Sequence, residues 1–251
     1  MVDPKSVRQQ LARRGLQTVA SHALWAEAQA RLLDRFSYIR LDPKNRLDYG
    51  IAQLGMPINA PVEGFDLIWS VGLLAYLSDI RSTLGFWAKV LKPEGLLMIT
   101  TLGPDSFRPL ALALGDVSQD QHVPGYPDMH DIGDALVSLG LSNPVMDAEW
   151  IELMYSSAES ALQDLRCLGG NSLVHRPSGL RSHRWRARVI DALESLRKGE
   201  KICLRVELVF GHAWAPSPRA QRHGGGASDV KPVQWQGKTP KGAPKTGSSG
   251  I

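Results

Sequence analysis

The chain has 251 residues, 43% hydrophobic and 22% charged, which is the balance of one large or two small globular domains and excludes a wholly disordered chain. No run approaches the roughly eighteen apolar residues of a membrane helix, and the opening MVDPKSVRQQLARR is too polar for a secretory signal, so the sequence reads as soluble with no membrane partner. The net charge of +4 points toward nucleic acid only superficially, because residues 217–251 alone hold six Lys or Arg and one Asp, leaving residues 1–216 slightly acidic.

From Ser6 to Phe36 the residues Leu24, Trp25, Ala28, Leu32, Leu33 and Phe36 recur at helical spacing, with Gly15 dividing a short first helix from a longer second one. FDLIWSV, from Phe65, is a short apolar run of strand character. A helical pattern through Leu73, Leu74, Leu77, Leu84, Trp87 and Leu91 follows it, and Lys92–Gly95 then breaks the chain. Leu96–Leu102 reads as a second buried strand closed by Gly103, Pro104 and Asp105, so strand, helix and strand make a right-handed parallel unit.

Asp128 or Asp131 can cap a helix carrying Ile132, Leu136 and Leu139 and stopping at Gly140. The strand-like PVMDAEWIELMY comes next. Ser156 and Glu159 then have capping-box spacing before a helix that Gly169 and Gly170 end, and a further helix runs near His183–Leu196. Leu204, Val206, Leu208 and Phe210 alternate with Arg205, Glu207 and Val209, the pattern of a half-exposed strand, which His212 and Trp214 finish. The order of elements predicts an α/β fold with an antiparallel edge.

Trp25, Trp69, Trp87 and Trp150 are expected in or near the core. Cys167 and Cys203 are too few for a disulfide framework, a four-Cys zinc site or a CxxC motif, so no metal centre is predicted and a reducing cytoplasm is the expected location. Residues 217–251 contain seven Gly, four Pro and four Ser, a composition that predicts a disordered basic tail. A single Trp235 among scattered lysines is a poor stacking groove, so nucleic acid is an unlikely partner.

Several of these segments, in this order, resemble class I S-adenosylmethionine-dependent methyltransferases, and within them the malonyl-acyl-carrier-protein O-methyltransferases of biotin synthesis. FDLIWS is similar to the fourth strand of that fold, LKPEGLLMITTLGPDSF to its turn, fifth strand and exit loop, and MHDIGDALVSLGL to the helix after it. LQDLRCLGGNSL resembles the late helix, VELVFGHAW the last strand, and RLLDRFSYIRLDPKNRLDYG the segment leading into the first strand. The resemblance implies a truncated Rossmann-like sheet, mostly parallel with an antiparallel last strand. It divides the chain into N-terminal helices over 1–40, a methyltransferase domain over 41–216 and the tail over 217–251.

The activity so implied is methylation of the free carboxyl of a malonyl thioester on acyl-carrier protein. Methyl transfer from a sulfonium to a carboxylate is an in-line displacement by a group already nucleophilic, so positioning and desolvation dominate and little general-base help is needed. In a doubly wound sheet the cofactor lies on a Gly-rich turn after the first strand and on an acidic residue ending the second.

Asp48, Gly50 and Ser70 are the cofactor-binding candidates by resemblance, and His130 and Arg166 are candidates for a substrate carboxylate. Plainer roles stand beside these: a strand end for Ser70, a helix N-terminus for His130, and a surface pair with Asp164 or Glu159 for Arg166. After Gly50 the chain continues IAQLG where the family repeats glycine, and only fourteen residues separate Gly50 from Phe65. Strands two and three, with their crossovers, would need about 60 residues. The first nucleotide-binding half therefore reads as largely missing, with weak or lost S-adenosylmethionine binding. The sequence leaves two functions open, an impaired methyltransferase or a non-catalytic partner or scaffold. It also predicts an exposed edge strand at residues 45–49 that could self-associate or pair with a partner, with apolar surface near Leu47, Ile68 and Ile99.

Overall fold

The computed structural model describes residues 15, 19–115, 125–168 and 182–217. The expected first helix, the Gly169–Gly170 stop and nearly all of the basic tail lie outside these residues. Six strands form one sheet: β1 (Arg46–Asp48), β2 (Phe65–Val71), β3 (Leu91–Leu102), β4 (Ser142–Tyr155), β5 (Arg197–Lys198) and β6 (Lys201–Trp214). Their order is β1-β2-β3-β6-β4, with β5 hairpinned onto β6. β1, β2 and β3 pair in parallel, and β6 is antiparallel to both β3 and β4. β1 to β4 thus point one way and β6 the other.

Successive residues of a strand face opposite sides, and both sides of β2 and β3 are covered. Leu67, Trp69, Leu96 and Met98 pack with Trp25 and Leu32 of α1 (Ala23–Ser37) and with Val189 and Leu193 of α6 (His183–Glu194). Ile68, Leu97 and Ile99 pack with Leu84 and Trp87 of α2 (Ile80–Val90) and with Ile132 and Leu136 of α4 (Met129–Ser138). A short α3 (Arg108–Leu114) and α5 (Ala158–Cys167) complete the first layer. Double coverage is why the strands read as nearly continuous apolar runs.

Several sequence expectations are corrected. β6 is not a half-exposed edge: it lies between β3 and β4, Val209 is fully buried, and β4 forms the antiparallel edge. Trp150 on that edge strand is 40% exposed, with the Arg205 guanidinium 3.8 Å above its ring. The cap of α5 is Ser157, which accepts from the Ser160 amide, one residue beyond the expected Ser156. Lys92–Gly95 does not end an element. It is a bulge within β3, where Glu94 takes φ 63° and the pairing steps from Phe65–Leu91 to Leu67–Leu96.

Ile68 and Ile99 are completely buried, not exposed, and Leu47 is half-buried. The crossover between β1 and β2 has no covering α-helix, but its Leu54 and Ile58 pack against the Ile68 layer, as do Leu73 and Leu74 beyond β2. Irregular chain covers that face here.

Candidate functional site

In a parallel sheet, ligands bind beyond the carboxyl ends of the strands, where neighbouring connections diverge. β1 ends at Asp48, Tyr49 crosses to β2 by donating its N–H to the Trp69 carbonyl, and Gly50 opens a single 3₁₀ turn over Ile51–Gln53. β2 ends at Val71, and Gly72, at φ 72°, turns the chain into a second 3₁₀ turn over Leu73–Tyr76.

Asp48 is exposed, and its carboxylate is taken by Arg46 at 2.6 Å, whose guanidinium stands 4.7 Å above the Trp69 ring. Gly50 donates its N–H to the Gln53 Oε1 at 3.0 Å. A Cβ on Gly50 would stand 3.2 Å from the Val71 carbonyl oxygen, so the two strand exits meet closely there. Ser70 is completely buried within β2, and its hydroxyl makes no hydrogen bond among the described residues.

These three candidates lie together at the β1–β2 junction. The substrate candidates do not join each other. α4 belongs to the layer over Ile68 and α5 to the layer over Trp69, so His130 and Arg166 stand on opposite sides of the sheet. His130 is exposed, and its Nδ1 lies 2.6 Å from the carboxylate of the helix cap Asp128. The backbone N–H and ring of His130 hold the Asp128 carboxyl below the usual carboxylate range. Arg166 is exposed and is not paired with either acid expected of it: Glu159 lies 3.8 Å from Arg186, and Asp164 is engaged elsewhere.

Sequence reasoning misses a cluster that the fold assembles beside this junction. His22 caps α1 by accepting the Leu24 N–H at Nδ1, and its Nε2 lies 2.7 Å from Asp164 Oδ1. This geometry assigns the Nε2–H tautomer. Tyr155 donates its hydroxyl to the other oxygen of Asp164 at 2.5 Å; burial, then the Asp164 carboxylate, pushes the phenol up. Tyr76 donates to the Leu168 carbonyl at 2.9 Å, and burial pushes its phenol up as well. Trp25 meets Tyr76 edge-on at 6.1 Å between ring centres. No sequence spacing announces such a cluster, because His22 and Asp164 are 142 residues apart.

S-adenosylmethionine in a doubly wound sheet needs open N–H groups on a Gly-rich turn and an acid on the neighbouring strand beyond β1. Here the Gly50 N–H is turned to Gln53, Ile51 is 2% exposed and packed in the Trp25 layer, and β1 is the outermost strand among the described residues. The order β1-β2-β3 never reverses, so it generates no switch-point crevice. Among the described residues Asp48 and Gly50 stand at the end of β1, and no strand beyond β1 supplies an acid. Among the described residues no group of three metal-ligating side chains occurs, and no helix is long and apolar enough to cross a membrane.

No family model matches the chain. It is 34% identical over 275 positions to the malonyl-[acyl-carrier protein] O-methyltransferase of Gallionella capsiferriformans, an alignment covering 89% of this chain and 95% of that one. It is 34% identical over 214 positions to the protein of the same name from Laribacter hongkongensis, covering 80% and 72%. With that of Methylovorus the figures are 37% over 172 positions, 68% and 57%. In the Gallionella alignment 89% of 251 residues is about 223, so about 50 of the 275 positions have no counterpart here.

Among solved structures, a Haemonchus contortus phosphoethanolamine N-methyltransferase 2 matches at 12% identity and TM-score 0.47, covering 84% of this chain and 60% of that one. The Bacillus YcgJ protein matches at 11% identity and TM-score 0.46, covering 75% and 99%.

Proposed function

The chain belongs to the malonyl-[acyl-carrier protein] O-methyltransferase family, and from that premise we propose that it is a member that has kept the sheet's acyl-substrate half and lost the half that holds S-adenosylmethionine. Its role is then binding, as a non-catalytic partner to the carrier-protein chemistry of its relatives, and not methyl transfer. One observation carries this reading: β1, the strand that bears Asp48 and Gly50, is the outer edge of the described sheet. The roughly 50 unmatched positions of the Gallionella relative agree in size with a missing pair of strand and crossover units.

Positioning supplies most of the rate in a displacement of this kind. A cofactor held by half its contacts would be neither oriented nor shielded from water. Asp48 and Gly50 would touch the cofactor's near side, and in this reading neither is free to do so, because Arg46 and Gln53 occupy them. On the substrate side, α6 exposes Arg184, Arg186 and Arg188 on the layer that also holds α5. Arg184 and Arg188, four residues apart, share one side of the helix, while Arg186 reaches Glu159 at 3.8 Å and Arg188 also donates to the Leu114 carbonyl. The pair would attract an anionic partner, and that attraction would weaken with salt.

Isothermal titration of the full chain with S-adenosylmethionine tests the proposal. The expected affinity is no better than about millimolar, about −4 kcal/mol. A one-to-one complex of micromolar affinity would overturn the reading and return the chain to the active enzymes.

A further inference from the structure

The free edge of β1 has a pattern that fits a copy of itself. The Asn45 carbonyl accepts from the Leu67 N–H and the Tyr49 N–H donates to the Trp69 carbonyl, so residues 45, 47 and 49 direct their backbone groups at β2. By alternation, the N–H and C=O groups of Arg46 and Asp48 face the open edge. Both residues are exposed, and among the described residues no strand pairs with that side. Beside the edge, the crossover exposes Met56 and Val62, at 53% and 108%.

Two copies related by a twofold axis must pair their β1 edges antiparallel. Three registers bring the outward-facing residues opposite one another. One sets Arg46 against Arg46, one sets Asp48 against Asp48, and one, centred on Leu47, sets Arg46 against Asp48 twice over. Like charges directly opposite are unfavourable in a sheet and opposite charges favourable. Charges on an edge strand ordinarily deter pairing, but here they deter two registers and favour the third.

We propose that β1 is the interface of a homodimer, in which Arg46 lies opposite Asp48 of the partner subunit and the two sheets become one. The Arg46–Asp48 pair within each chain, at 2.6 Å, is exchanged for two pairs between chains. Leu47 meets Leu47 of the partner subunit at the axis.

Concentration-dependent light scattering on the full chain, with charge variants, tests the register. The wild type is expected to dimerise. Arg46→Asp and Asp48→Arg alone should each raise the dimer dissociation constant by about tenfold or more, since each places like charges opposite twice. An equimolar mixture of the two variants should recover the dimer, because every opposite pair is again complementary, and so should the double variant. Recovery on mixing also shows that both single variants are folded. A monomeric wild type, single variants that dimerise as the wild type does, or a mixture that stays monomeric would each overturn the proposal.

Discussion

Gly72 lies directly against Trp25: a Cβ built on it would stand 2.7 Å from the indole Cε3 and 2.8 Å from Ile51 Cδ1. The contact locks together the end of β2, the N-terminal helix α1 and the turn that follows β1. Gly72 also takes φ 72°, where a side chain is strained. Gly72→Ala should therefore cost about 2 to 4 kcal/mol, from left-handed backbone strain plus overpacking. Thermal and urea unfolding would measure it, and a variant as stable as the wild type would show that the indole moves aside freely.

The Tyr76 hydroxyl is the partner of the Leu168 carbonyl at the end of α5. Tyr76→Phe keeps the ring against Trp25 but leaves a buried carbonyl unpaired, at a cost of about 1 to 3 kcal/mol. Hydrogen exchange should rise first in α5, because the lost bond is its tie to the β2 end. A uniform change over the whole chain would point to a global effect instead.

Where periodicity and burial agreed, the fold was legible. β2 and β3 show as apolar runs, α4 carries its cap at Asp128, and the alternation from Leu204 marks β6. The interior place of β6 was not legible, because alternation reports the faces of a strand and not its neighbours. The cover over Ile68 and Ile99 was missed for a related reason: besides Leu84, Trp87, Ile132 and Leu136 of α2 and α4, Leu54 and Ile58 add to it from irregular backbone that has no period to detect. At the candidate site, Asp48 and Gly50 were visible as a motif fragment. The tie between His22, at the cap of α1, and Asp164 of α5 spans 142 residues and leaves no local trace.

Asp66 organises the entry to β1. Its Oδ2 accepts the backbone N–H groups of Lys44 and Asn45, at 3.0 and 2.7 Å, while Lys92 sits 2.9 Å from Oδ1. Lys92 first, and the Asn45 amide next, hold the Asp66 carboxyl below its usual range. Since the folded-state value is below the unfolded one, near 3.9, the stabilisation is present above about pH 4. It is lost as pH falls through the folded value. Asp66→Asn should lower stability at neutral pH by about 1 kcal/mol and should flatten the dependence of stability on pH below about 4. An unchanged acid limb in the variant would show that Asp66 carries none of it.

Ile51 opens the IAQLG run that follows Gly50 where the resemblance implies further glycines, and Ile51→Gly asks whether loosening that turn is enough to admit the cofactor. The side chain is 2% exposed and belongs to the layer containing Trp25, Trp69 and Leu67. Its removal opens a cavity beneath Gly72 and frees the backbone of the 3₁₀ turn, which together should cost about 3 to 5 kcal/mol. A glycine gives the turn freedom to approach a ligand, but it adds no ribose-binding acid and no strand beyond β1. The Gly50 N–H would still meet the Gln53 side chain, whose Oε1 lies 3.0 Å away. Ile51→Gly and the double variant Ile51→Gly with Gln53→Ala should therefore lose stability without gaining affinity for S-adenosylmethionine. Denaturation and isothermal titration on the same preparations separate the two effects. Micromolar binding by the double variant would mean that the blocked turn, and not the missing half of the sheet, keeps the cofactor out.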